Sequence, residues 1–167
     1  MKQFSVLILT TLLISCQQKE INYSEVILEN GIINAEFLQE IDASEKALIS
    51  GYLFAYGNEC TSEKSHIKCD ILKELSIENE CDSDHISKLQ KWFSEDLMMK
   101  IKLLNCPNLP QKGAIQNTIY KIELKRKNDT ITIVFSVKGL NNSQEKSWDI
   151  EQSNSYIIKN ETFIILK

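Results

Sequence analysis

A change of hydrophobic period near Gly113 limits what this chain can fold into. After it the residues alternate. From Asn117 to Lys125, Tyr120, Ile122 and Leu124 share one face and Lys121, Glu123 and Lys125 the other. Asn128-Asp129 reads as a hairpin tip, and Thr130 to Lys138 alternates again through Ile131, Ile133, Phe135 and Val137. A third strand is expected at 147–152, then a closing hairpin, 155–158 and 162–166, turning at Lys159-Asn160-Glu161. Before Gly113 the period is helical. A helix over about 44–57 opens on Asp42 with Glu45 at capping-box spacing and carries the stripe Leu48, Ile49, Tyr52, Leu53, Ala55 and Tyr56. A short helix around Ala35 to Ile41 precedes it. Another, over about 66–76, carries Ile67, Ile71, Leu72 and Leu75. The longest is expected over about 84–104, with Ile86, Leu89, Trp92, Phe93, Leu97, Ile101 and Leu104 inward and a stop at Asn105-Cys106-Pro107. The expected fold class is α+β: N-terminal helices packed on a C-terminal antiparallel sheet of four to five strands over 117–166.

The other end of the chain carries a different signal. Lys2 precedes the apolar run Phe4 to Ile14, and the chain then reads Leu13-Ile14-Ser15-Cys16-Gln17-Gln18-Lys19. A cationic start and an apolar run too short to span a bilayer are parts of a secretory leader. The last four positions resemble the lipobox of bacterial lipoproteins. The resemblance implies that Cys16 is lipidated, that residues 1–15 are removed, and that residues 16–34 form a lipidated tether to one globular domain, 35–167. Two or three acyl chains make such anchoring stable. Asp is absent next to Cys16, which in this family favours the outer membrane. Gln17, Gln18, Lys19 and Glu20 resemble the export segment of surface lipoproteins of Bacteroidota type. The implied location is a lipid anchor in the outer membrane, on its periplasmic face or at the cell surface. The order of the folded part, helices and then antiparallel strands, resembles NTF2-like and cystatin-like folds, an analogy of fold that implies no function.

Of 167 residues, 152 remain once 1–15 are removed, enough for one domain with a sizeable core. Loss of Lys2 takes the formal charge from -4 to -5. A mildly acidic chain with dispersed lysines lacks the basic cluster that nucleic acid requires, so no nucleic acid partner is expected. Besides Cys16 there are four cysteines, Cys60, Cys69, Cys81 and Cys106. An even number in an exported chain reads as two disulfides, and no Cys-x-x-Cys pair points to zinc. An unbroken helix over 84–104 would span about 31 Å. Even with both flanks folded straight back, about 14 Å would separate Cys81 from Cys106, against a limit near 7 Å. That leaves Cys60–Cys81 with Cys69–Cys106, the preferred pairing, or Cys60–Cys106 with Cys69–Cys81.

Chemical motifs are few. The two histidines, His66 and His85, with Asp70, Asp82 and Asp84, could be drawn as a metal or acid–base site, but Asp82 and Asp84 sit where helix capping wants carboxylates. No metal and no cofactor is expected. No nucleophile elbow, phosphate loop or zinc-protease motif is present, so no enzyme is expected. Asp129-Thr130-Ile131 resembles the acceptor pattern of general O-glycosylation in exported proteins of Bacteroidota type, making Thr130 a candidate. Tyr52, Tyr56, Trp92 and Phe93 are expected in the core. The expected function is a membrane-anchored, non-enzymatic binding or interaction module with an unknown protein partner. The alternatives are an anchored immunity or inhibitor protein against a toxin or hydrolase, and a small-ligand carrier or enzyme with a pocket between helices and sheet.

Overall fold

The computed structural model describes residues 20–57, 67–77, 82–104 and 115–166. The expected hairpin forms from β3 (Ile115–Lys127) and β4 (Thr130–Asn141), joined at Asn128-Asp129. Asn128 adopts φ 53°, a left-handed conformation that asparagine tolerates. β5 (Lys146–Lys159) is one continuous strand, where two shorter ones were expected. The polar pair Ser153-Asn154 does not interrupt it, because the alternation runs on through both: Asn154 turns inward to a buried partner and Ser153 outward. β6 (Thr162–Leu166) follows a tight turn at Asn160-Glu161, both at positive φ.

Two more strands come from the segment expected to be a tether. β1 (Asn22–Glu29) and β2 (Ile32–Ile33) form a hairpin at Asn30-Gly31, with φ 51° and 84°. β1 then pairs antiparallel with β3 along its length. The sheet therefore has six antiparallel strands in the order β2-β1-β3-β4-β5-β6. Residues 22–33 belong to the folded domain because Ile27 and Leu28, successive residues at a bulge in β1, are both fully buried.

The helices cover one face. α1 (Ala35–Glu40) starts at Asn34, whose side chain accepts from the Phe37 amide. α2 (Ala43–Tyr56) starts in the expected capping box of Asp42 and Glu45. α3 (Ile67–Glu74) and α4 (Ser83–Trp92) follow, and Asp82 caps α4 by accepting from the amides of Asp84 and His85. The long helix expected over 84–104 is broken. α4 ends at Trp92, residues 93–96 turn, and α5 (Leu97–Leu104) begins anew. Asp96 caps α5, its Oδ1 accepting from the Met99 amide at 3.1 Å. Phe93 is thereby driven into the core. With the rod broken, the length argument against a Cys81–Cys106 pair loses its premise, and both cysteines lie outside the described residues.

The core is the space between the layers. Ile122, Leu124, Ile131, Ile133, Phe135, Val137, Tyr156 and Phe163 from the sheet meet Leu48, Tyr52, Leu53, Ile71, Leu89, Phe93 and Leu103 from the helices, all buried. Among the described residues no helix covers the other face of the sheet. Across it run polar rows such as Ser24, Lys125, Thr132 and Ser155, aligned by strand register.

Candidate functional site

Polar groups gather inside this molecule at a place that hydrophobic periodicity does not reveal. Asn154 Nδ2 donates to the Tyr52 hydroxyl at 2.6 Å, the Tyr52 and Tyr156 hydroxyls lie 2.9 Å apart, and Tyr156 donates to Asp96 Oδ2 at 2.9 Å. The directions follow from proton supply. Tyr156 gives its one proton to Asp96, so its oxygen accepts from Tyr52, and Tyr52 in turn accepts from Asn154. The chain runs one way, from β5 through α2 and back through β5 to the cap of α5. Burial pushes the Tyr52 phenol up to about 12. Burial first, then the neighbouring Tyr52 and Asp96, raises Tyr156 further still. Both phenols are therefore neutral donors at any physiological pH. Phe93, Phe135 and Phe163 pack around them. The arrangement fixes α2, α5 and β5 relative to one another.

A second cluster sits at the end of the sheet where β1 enters. Arg126 of β3 reaches the Asp42 carboxylate with Nη1, lies 3.1 Å from Glu45 Oε1, and donates from Nε to the Asn128 carbonyl at 3.0 Å. The side chains of Arg126 and Glu45 are only 10% and 3% exposed. Burial pushes the Asp42 carboxyl up, but hydrogen bonds from Ser44, Arg126 and Glu45 outweigh it and hold the group below its ordinary value. One ion cluster thus fastens the start of α2 to the sheet.

Beside it, on the open face, lies a shallow depression of about 350 Å³ bordered by Ser24, Lys125, Lys127, Thr130 and Thr132. Thr130, the candidate glycan acceptor, is half-buried there at the first position of β4. Elsewhere α5 turns Leu97, Met98, Ile101 and Leu104 to solvent; Leu97 and Met98 are 67% and 66% exposed.

Comparison with protein-family models, curated proteins and solved structures finds no match. The fold analogies therefore carry no functional argument, and the site must be read from its own residues.

Cys16, Cys60, Cys81, Cys106 and His66 lie outside the described residues. Cys69, on α3, is disulfide-bonded, and since it is the one cysteine among the described residues its partner is among the others. His85 and Asp82 come together on α4, but as cap and capped amide. Among the described residues no three His, Cys, Asp or Glu side chains are grouped to hold a metal ion. Tyr52 and Phe93 are fully buried, and Tyr56 and Trp92 pack against the same core. The cluster of Asp96, Asn154 and Tyr156 was missed by sequence reasoning. One signal was available: Asn154 occupies an inward position of an otherwise alternating strand, where an amide needs a buried partner.

Proposed function

We propose that this chain is a lipid-anchored protein of the bacterial outer membrane whose folded domain is a non-enzymatic interaction module. The observation that carries the reading is Leu13-Ile14-Ser15-Cys16 at the end of a short apolar run preceded by Lys2. The early start of β1 supports a close anchorage. Asn22 is already in the sheet, so Cys16 stands at most about 20 Å of extended chain from the fold. The domain then rests near the membrane surface, with no long stalk. The apolar outer side of α5 and the polar open face of the sheet are among the surfaces that could meet a partner. The disulfide at Cys69 fits an oxidising compartment.

The test is mass spectrometry of the protein taken from native membranes. The expected amino terminus is Cys16 carrying a thioether-linked diacylglyceryl group, and Cys16→Ala is expected to leave the leader uncut. An unmodified chain beginning at Met1 would overturn the reading.

A further inference from the structure

The two edges of the sheet are built differently. β2 ends one side with two residues, too short to template another strand. β6 ends the other with five, Thr162-Phe163-Ile164-Ile165-Leu166, which contain no charge, no proline and no bulge in their register with β5. The two-residue turn makes Lys159 and Thr162 a hydrogen-bonded pair. By alternation, Thr162, Ile164 and Leu166 then bond to β5, while Phe163 and Ile165 turn their N–H and C=O groups outward. Among the described residues nothing bonds to that outward row. On the open face, Ile164 stands beside its β5 neighbour Ile157 with Leu166 next along the strand, and the three are 38%, 37% and 44% exposed. On the helix face Phe163 is held by Trp92 and Phe93, with ring centroids 4.9 and 5.0 Å away, so the edge is rigid.

We propose that this edge pairs with the same edge of a second copy of the chain, β6 antiparallel to β6. The strand is complementary to itself about Ile164. In that register each Phe163 faces an Ile165 of the other copy, and every outward N–H and C=O finds a partner. The two Ile164 residues meet as a non-hydrogen-bonded pair, with α-carbons about 4.5 Å apart. Thr162 faces Leu166, and the Ile157–Ile164 patch becomes continuous across the join. The absence of charge along β6 lets an acidic chain meet itself there without like charges opposed. A five-residue strand pair is small beside the roughly 1,200–2,000 Å² of stable complexes, so the dimer is concentration-dependent.

Sedimentation of the mature protein in detergent, and of a chain beginning at Gln17 that bears neither leader nor lipid, tests the pairing apart from the anchor. The expected result is a doubling of mass with concentration in both forms. Ile164→Lys and, separately, Leu166→Lys should abolish it while leaving the near-ultraviolet circular dichroism unchanged. Ile32→Lys, at the other edge, should leave it intact. A monomer at every concentration, a dimer surviving both lysine variants, or capture of a foreign extended peptide by a chain that does not self-associate would each overturn the proposal.

Discussion

Asp96 accepts hydrogen bonds from the Tyr156 hydroxyl and the Met99 amide, two buried donors, while the Tyr156 oxygen itself accepts from Tyr52. Removing a buried acceptor leaves its donors unsatisfied at about 1–3 kcal/mol each. Asp96→Ala is therefore expected to lower unfolding free energy by about 2–4 kcal/mol in urea titrations, and Asp96→Asn by less, since the amide oxygen still accepts once. The phenols set an alkaline limit. In the unfolded chain Tyr52 ionises near 10 and in the folded chain near 12, so stability present below pH 10 falls as pH rises between these values. Urea midpoints at pH 8 and 11 should differ accordingly, and Tyr52→Phe should reduce the drop. His85 acts at the acid side. Burial first, then Lys88, depresses its pKa below 6.5, and Nε2 is buried without a partner. The unfolded chain takes up its proton first, so stability falls as pH drops below 6.5; His85→Phe, beside the Phe54 ring, should remove that part of the acid sensitivity. At this scale the sequence was readable only where the chemistry is local. Asp42 with Glu45 is a pattern over four residues, whereas Asp96 and Tyr156 meet across sixty.

Beyond Asn34, helix and strand types were legible because their periods are; their ends were not. The break between α4 and α5 rests on competition between a continuing apolar stripe and the cap that Asp96 makes, and the cap prevails because Phe93 fills the core at that point. α2 makes room for it at Gly51, where an added β-carbon would lie 2.3 Å from Phe93 Cε2. The Phe93 ring is walled in by Tyr52, Tyr156 and Phe163 and has nowhere to retreat. Gly51→Ala should thus destabilise by about 1–3 kcal/mol, against the roughly 1 kcal/mol that helix propensity alone would add. Thermal melts decide the sign. Arg126→Ala tests the junction of α2 with the sheet. It strands Glu45 as a buried, unpaired carboxylate, at a cost of about 3–5 kcal/mol.

For the whole molecule, the decisive misreading was of residues 22–33. Apolar residues around Gly31 are too few to declare a strand by themselves, and β1 is defined by a partner about a hundred residues away. A chain truncated at Asn34 would uncover the edge of β3 and lose Ile27 and Leu28 from the core. It should aggregate, while one truncated before Ile21 should fold; circular dichroism of both versions checks this. The two-fold axis of a β6–β6 pair is normal to the sheet, so on the proposed lipid anchorage two partners on one membrane would lie with their sheets parallel to it.

The insertion of β1 beside β3 also sets an order of events during synthesis. Ser24 bonds Glu123 and the Ile21 amide bonds Asn128, across separations of 99 and 107 residues. A strand made first cannot pair until the chain has been made through β3, which ends at Lys127 of 167 residues, and such non-local closure is slow. Until then Ile27 and Leu28, which the finished domain buries, have no sheet to lie in, so the first strand made spends the longest interval unsheltered.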